Sequence, residues 1–172
     1  LGNQKEDELL LEKLCEEGLP YRYPEVNEAV LARLQKELGL IKQMGFVSYF
    51  LINWDIVSYA RSRNFFYVGR GSGANSIVAY LLRITDVDPM ELDLYFERFM
   101  NLYRANPPDF DIDFSHHDRP IMTQYIFERF EHVALLGTYV TFKWRGMVRE
   151  LGKVFGLPKD EIDKLCDGKF QD

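Results

Sequence analysis

Apolar residues recur at helical spacing in two stretches near the start of the chain. In residues 6–17 four leucines stand among charged side chains, and Gly18, Leu19 and Pro20 follow as a stop signal. In residues 24–45 the apolar positions again fit one face of a helix, and Gly45 ends the pattern. Two amphipathic helices are predicted, and the charged face of the second is expected to lie in solvent.

A different pattern follows between residues 46 and 83. The β-branched and aromatic run at 47–52 predicts a buried strand, residues 55–63 predict a helix, and residues 65–68 predict a second short strand. This strand leads directly into a glycine-rich loop and then into an apolar helix that begins near Gly73. The predicted order is strand, loop, helix.

The remaining pattern mixes short elements without a regular alternation. Helices are predicted at residues 88–101 and 121–130, a β-rich segment at 133–142, and two closing helices at 145–155 and 160–166. Residues 105–108 are predicted to form an extended linker, because a residue before proline avoids the helical region. We expect an α/β (α+β) domain with a mixed sheet flanked by helices, and not a doubly wound fold.

The composition indicates a globular chain. With 172 residues, of which 47% are hydrophobic, it is long enough for one domain with a real core. Cys15 and Cys166 are far apart and have no ligand spacing around them, which argues against a disulfide framework or a zinc site. No apolar run approaches the roughly 20 residues that span a bilayer. The first residues carry neither a signal peptide nor an initiator Met, so we expect a cytoplasmic protein without a membrane segment, cut from something longer.

Three aspartates alternate with apolar residues in a segment that follows a double proline. Asp109, Asp111 and Asp113 would share one face of a strand at 109–114, and the residues between them would anchor the other face. Aspartate is a poor strand former, and carboxylates about 7 Å apart repel one another, so stability alone does not favour this pattern. Hard oxygen ligands on a rigid strand suit Mg²⁺ or Mn²⁺, and two such ions can clamp a phosphoryl displacement.

Plainer interpretations of this segment exist. An exposed edge strand with solvated carboxylates would show the same alternation, and a lone pair of alternating aspartates is a weak motif. His116 and His117 follow closely, but consecutive side chains diverge, so we do not expect them to be ligands.

The loop formed by Gly69, Arg70, Gly71, Ser72 and Gly73 is the second candidate. Its glycines let the backbone approach a ligand, and a helix N-terminus just beyond it would attract phosphate oxygens. The spacing matches neither a Walker A loop nor a dinucleotide fingerprint. Alone it is equally typical of an ordinary strand-to-helix turn; together with a metal-binding strand it predicts a triphosphate site.

Several motifs share their order with one family. The chain resembles the bacterial DNA polymerase III alpha subunit from about residue 6 to the C-terminus. The motifs are Gly45-Phe46 with Tyr49-Phe50-Leu51-Ile52 and Trp54-Asp55, Gly69-Arg70-Gly71-Ser72, Val78-Ala79-Tyr80, Ile84-Thr85-Asp86, Phe96-Glu97-Arg98-Phe99, and residues 108–114.

The resemblance implies a polymerase-beta-like nucleotidyltransferase palm. It makes Asp111 and Asp113 the catalytic carboxylates that hold two Mg²⁺ or Mn²⁺ ions, and it assigns Arg70, Gly71 and Ser72 to the dNTP phosphates. Residues 1–45 would be a helical lead-in and residues 46–172 a partial palm core. The implied partners are primer-template DNA, dNTPs and, through other regions of the parent, replisome subunits such as the sliding clamp.

The resemblance also gives roles to residues outside these two motifs. Asp109 has no catalytic counterpart, and Arg149 to Gly152 matches a structural helix. Arg98 and Arg104 would lie near the triphosphate or template, although surface ion pairs explain them nearly as well.

The departures from the family pattern limit these implications. Val68 and Asn75 stand where many replicative members have proline and glycine, which together with Ser115-His116 resembles the error-prone branch. The family's third carboxylate comes from a downstream segment that residues 168–172 do not match, so we expect this chain alone to be inactive. The net charge of −6 disagrees with a self-sufficient DNA-binding domain and suits a palm without its DNA-gripping parts. A metal-dependent glycosyltransferase and a non-catalytic nucleotide-binding module are the alternatives.

Overall fold

The structure, a computed structural model, describes residues 2–101, 108–139, 141 and 143–167. These residues group into two compact units that meet in sequence between Glu131 and His132. The division at residue 45 into a helical lead-in and a palm core is a division by function, and it stays a prediction. No helix in the described ranges is long and apolar enough to cross a membrane.

Helices dominate the described part of the first unit. Asn3 and Asn27 cap the first two helices, because their side-chain oxygens accept hydrogen bonds from the backbone N–H groups of Lys5 and Val30. The helices are α1 (Gln4–Arg22), α2 (Glu28–Gln43), α3 (Val47–Ser62), α4 (Ile77–Leu81) and α5 (Arg119–Arg129), with 3₁₀ helices at Gly71–Asn75 and Phe96–Arg98. Helix α1 packs on α3 and α4, α2 packs on α4, and α5 packs on α3.

Two short strands pair within this unit. Strands β1 (Tyr67–Arg70) and β2 (Asp111–Phe114) are antiparallel, with Arg70 opposite Asp111 and Tyr67 opposite Phe114. The mixture of helices and a sheet is therefore confirmed. The mixed sheet is not found: the described residues form one antiparallel pair. Whether this belongs to a polymerase-beta-like palm stays a prediction.

The second unit contains two amphipathic helices in its described part. They are α6 (Trp144–Val154) and α7 (Lys159–Asp167), close to the predicted closing helices. Arg149 forms an ion pair with Asp163 at 3.5 Å, which joins the two helices. The β-rich segment predicted at 133–142 was wrong where it can be checked, because residues 133–139 and 141 contain no strand. Leu136 and Tyr139 are 90% and 98% exposed, and β-forming residues without a neighbouring strand or core have nothing to pair with.

The strand predicted at 47–52 is also wrong, since these residues begin helix α3. Val47, Phe50, Leu51, Val57 and Ala60 are buried at helical spacing, so packing of one helical face overrides the local preference of β-branched and aromatic residues.

Two more predicted helices differ from the structure. Where an α-helix was predicted at 88–101, residues 89–93 form turns and residues 96–98 form a 3₁₀ helix. The Asp88 side chain accepts a hydrogen bond from the Met90 N–H at 2.8 Å and Asp93 has a left-handed φ of 48°, which favours the turn. Helix α1 continues through the expected stop at Gly18 to Arg22. There the Arg22 guanidinium donates to the carbonyl oxygens of Tyr80 and Thr85, both at 2.9 Å.

Hydrogen bonds from an ion pair within α2 connect this helix with the segment that follows β1. The Glu37 side chain is 0% exposed, so the prediction that this face of α2 is solvated was wrong here. Its carboxylate accepts hydrogen bonds from Arg33 Nε at 2.6 Å and from Ser76 Oγ at 2.8 Å. The Ser76 hydroxyl in turn caps α4 by accepting from the Ala79 N–H. This network fixes the start of α4 against α2.

The same arginine holds the glycine-rich segment from outside. Arg33 donates through one terminal nitrogen to the carbonyl oxygens of Asn75 at 2.9 Å and Leu94 at 2.8 Å. The buried Asn75 amide then donates to the Ser72 carbonyl at 2.8 Å. The loop at 71–76 is thus positioned by hydrogen bonds that originate in α2.

Replacing Glu37 with alanine should destabilise the chain by about 3 kcal/mol, because the Arg33 cation and the Ser76 hydroxyl lose their buried partner. Glu28→Ala on the exposed part of the same helix is the matched control and should change stability by less than about 1 kcal/mol. Urea unfolding followed by circular dichroism measures both. Equal effects of the two substitutions would contradict a structural role for the Glu37 network.

The pH dependence of stability should also report on Glu37. Burial raises the pKa of its carboxyl, although the hydrogen bonds from Arg33 and Ser76 act in the opposite direction. The folded chain therefore binds this proton more tightly than the unfolded chain, whose glutamate pKa is about 4.3. The contribution of Glu37 is greatest below that value and is lost as the pH rises through the folded pKa. Relative to Glu37→Gln, the unfolding free energy of the natural chain should fall over this range in urea titrations; a rise would contradict the sign.

Candidate functional site

The two faces of the aspartate segment have opposite environments. Asp109, Asp111 and Asp113 are exposed, whereas Ile112 and Phe114 on the other face are half-buried. The predicted alternation is therefore confirmed, but the strand itself begins at Asp111, so that Asp109 precedes it.

Phe110 anchors this segment in an aromatic cluster. Its ring stacks on Tyr49 with centroids 5.4 Å apart and contacts Phe50 and Phe99 at 5.3 and 4.9 Å. The Phe110 N–H also donates to the Tyr49 hydroxyl at 2.8 Å. The direction of the aspartates is thus fixed from α3, and this role of Tyr49 was hidden by the incorrect strand prediction.

The glycine-rich loop lies directly against the aspartate segment. A Cβ atom at Gly73 would lie 2.4 Å from the Phe110 ring, and one at Gly71 would lie 2.8 Å from Asp111 Oδ2. Gly71 also has a φ of +80°, a conformation that other residues adopt only with strain. The two motifs that the sequence analysis singled out are therefore neighbours, and close contact explains two of the glycines.

One guanidinium group joins the two carboxylates. Arg70 Nε donates to Asp113 Oδ2 at 2.5 Å, and Arg70 Nη1 lies 3.6 Å from Asp111 Oδ2. The hydrogen bond and charge of Asp113, with the charge of Asp111, raise the pKa of the Arg70 guanidinium. All three side chains are about half exposed, so this cluster faces solvent. It concentrates opposite charges on the outer side of the sheet.

The carboxylate oxygens of this cluster are chemically suited to a hard divalent cation, but only two residues supply them. Two carboxylates on one face of a strand offer oxygen ligands of the kind that Mg²⁺ and Mn²⁺ prefer. Within the described ranges, no three or more His, Cys, Asp or Glu side chains are grouped so that they could hold a metal ion. The structure therefore supplies a pair of candidate ligands, and the identity of any ion stays a prediction.

The other predicted residues lie away from this cluster or are not among the residues that the structure describes. Ser72 is half-buried beside Gly71, and its carbonyl accepts the Asn75 hydrogen bond. His116 and His117 are exposed, with their rings 3.8 Å apart. Arg98 is exposed in the second 3₁₀ helix, whereas Arg104 and residues 168–172 are not among the described residues.

Residues that sequence reasoning missed support the site from behind. Arg33 and Glu37 carry no motif, and only their i, i+4 spacing, which is common on any helix surface, could have suggested an ion pair. Asn75 is one of the departures from the replicative pattern. Its burial and its bonds to the loop give this asparagine a structural function.

Comparisons with known proteins agree with the motifs. Residues 9–171 match the sequence profile of the family described as the bacterial DNA polymerase III alpha NTPase domain. The error-prone DNA polymerase of Anaeromyxobacter dehalogenans (strain 2CP-C) is 40% identical over 168 residues, which is 95% of this chain. Those of Symbiobacterium thermophilum and Pseudomonas paraeruginosa are 45% and 42% identical over 91% and 94% of the chain.

The matches cover this chain far more completely than they cover the relatives. The chain spans about 15% of the length of the Anaeromyxobacter and Symbiobacterium proteins. Because the profile matches nearly all of the chain, the resemblance inferred from the motifs is confirmed: the chain belongs to the family of the bacterial DNA polymerase III alpha NTPase domain.

Proposed function

We propose that this chain is the catalytic palm region of a DNA-directed DNA polymerase, and that Asp111 and Asp113 are its catalytic carboxylates. One observation carries the proposal: the register of the sheet sets Arg70 opposite Asp111, so the Gly-Arg-Gly-Ser loop and the aspartate strand meet at one surface. Family membership supports the reaction class. The reaction is nucleotidyl transfer from a dNTP to a primer 3′-hydroxyl.

Asp111 and Asp113 would hold the divalent cations of this reaction, for which we propose Mg²⁺. When bound, such ions supply Lewis-acid stabilisation of the charge that develops on the transferred phosphoryl group. The strand contributes rigidity, because Phe110 and Ile112 pack against the core and leave the carboxylates on the outer face. A fixed ligand geometry avoids reorganisation during the reaction.

Arg70, Gly71 and Ser72 would bind the triphosphate of the incoming nucleotide. A guanidinium is suited to phosphate, since its planar set of donors can bind two oxygens at once. In the structure Arg70 instead contacts the two carboxylates, so nucleotide and carboxylates compete for the same cation. Transfer of Arg70 from carboxylate to phosphate would free both aspartates to act as metal ligands.

The broader setting of the site follows from the relatives and is likewise proposed. The named relatives are error-prone DNA polymerases, which favours the error-prone branch for the parent protein. Its synthesis would serve DNA replication or translesion repair. We place it in the cytoplasm with primer-template DNA and a sliding clamp as partners. The isolated 172-residue chain should not extend primers, because its described residues bring only two carboxylates to the site. Family membership disfavours the glycosyltransferase alternative.

In the full-length parent, Asp111→Asn should reduce primer extension by about a hundredfold or more, because a neutral amide is a poor ligand for a hard cation. The fold should be retained, since this side chain is about half exposed. Asp109→Asn is the matched control: it changes the same functional group two residues earlier and should leave the rate within a few-fold, as expected for a carboxylate outside the metal site. Equal loss in both variants, or a natural rate for Asp111→Asn, contradicts the assignment.

Replacing Arg70 with glutamine should raise the KM for dNTP by about tenfold, because one charge-assisted hydrogen bond to the triphosphate is lost. Arg119→Gln removes a charge that is also exposed, at the start of α5, and serves as the control. Steady-state kinetics with varied dNTP measures both. An unchanged KM for Arg70→Gln would show that the triphosphate is held elsewhere.

A further inference from the structure

Positive charge is concentrated in one part of this acidic chain. Residues 56–85 contain four arginines and no aspartate, glutamate, lysine or histidine, although the whole chain has a formal net charge of −6. Arg70 lies in the carboxylate site described above. The other three, Arg61, Arg63 and Arg83, lie near the opposite end of β1. A second surface with local positive charge therefore exists at a distance from the aspartates.

This surface contains an open groove of about 610 Å³. It is lined by Arg61, Ser62, Asn64, Phe65, Phe66 and Arg83. All of these residues belong to the first unit, and the groove follows the turn between α3 and β1.

The arginines at the groove are held in place without carboxylate partners. Arg61 donates to Ser58 Oγ at 2.7 Å and to the Tyr67 hydroxyl at 2.9 Å, and that hydroxyl donates to the Arg83 carbonyl at 2.6 Å. The Arg83 guanidinium carbon lies 4.4 Å from the centre of the Tyr21 ring. Among the described residues, neither guanidinium has an acidic side chain within ion-pair distance. Both cations therefore have hydrogen-bond donors left for an anionic ligand.

An exposed aromatic ring stands beside these cations. Phe66 is 77% exposed, whereas the neighbouring Tyr67 is half-buried. A cation near the end of α3 also offsets the helix dipole, which explains Arg61 and Arg63 in part. That effect accounts for neither Arg83 nor the position of Phe66 in solvent.

Cations beside an accessible aromatic ring match the chemistry of an unpaired nucleic acid strand. Guanidinium groups bind backbone phosphates, and unstacked bases offer flat faces to an aromatic side chain. A duplex keeps its bases stacked, whereas an acidic peptide offers a flat ring only where an aromatic residue stands beside its carboxylates. We propose that this groove, lined by Arg61, Asn64, Phe65, Phe66 and Arg83, binds single-stranded nucleic acid, with Phe66 stacked on a base.

The test measures binding of a fluorescein-labelled oligothymidylate of about 12 nucleotides to the 172-residue chain by fluorescence anisotropy. The buffer contains EDTA and no nucleotide, so the result is independent of the polymerase assignment. The natural chain should bind at low salt and lose affinity as salt rises. Arg83→Gln and Phe66→Leu should each weaken binding by about tenfold, because one phosphate contact or one stacked base is lost.

Matched variants distinguish base stacking and binding within the groove from nonspecific attraction by charge. Phe66→Tyr keeps an aromatic ring and should retain binding, and Arg119→Gln removes a charge outside the groove and should leave affinity unchanged. Absence of binding, or equal affinity of Phe66→Leu and the natural chain, overturns the proposal. So does complete displacement of the oligonucleotide by polyglutamate at equal concentration, which would indicate an acidic protein partner. Should Arg83→Gln unfold by circular dichroism, the Phe66→Leu and Phe66→Tyr pair decides alone.

Discussion

The buried carboxylate of Glu37 is the constraint on which the arrangement of the site depends. It is surrounded by Arg33 and Ser76, and Arg33 continues to the carbonyls of Asn75 and Leu94. An ionised group without such partners would be very costly to bury. The fold therefore holds α2, the glycine-rich loop and the start of α4 in one mutual position. The loop can be open and rich in glycine because hydrogen bonds from α2 determine its geometry.

Strand β2 has one face packed against the core and one face that carries charged side chains. Its inner side continues the aromatic cluster of Phe110, Tyr49, Phe50 and Phe99, while its outer side presents two carboxylates to Arg70. Ion pairs that are half exposed contribute little to stability. The concentration of charge is better explained by ligand binding than by folding. Gly71 and Gly73 allow the loop to approach the aspartate segment closely enough for both motifs to lie at one surface.

Sequence reasoning predicted the surface positions of the candidate site residues better than it predicted the elements that support them. The aspartate alternation depends on strand geometry, which any extended segment shares, so the exposed positions of Asp111 and Asp113 were predictable. Residues 47–52 were misassigned because their β-branched and aromatic side chains favour strands locally, whereas burial of one face selects a helix. Glu37 could not be identified, because a glutamate four residues after an arginine is ordinary on a solvated helix. Its partners are brought close only by the tertiary fold.

The central claim is that the loop and the aspartate strand form a single cation-dependent site. Paramagnetic broadening of backbone amide NMR signals by added Mn²⁺ tests it most directly in the 172-residue chain. We expect the signals of residues 70–73 and 111–113 to broaden first and together, since Arg70 and Asp111 are opposite in the sheet. Broadening confined to the acidic surface of α1, with the signals of residues 70–73 and 111–113 unchanged, would contradict the account.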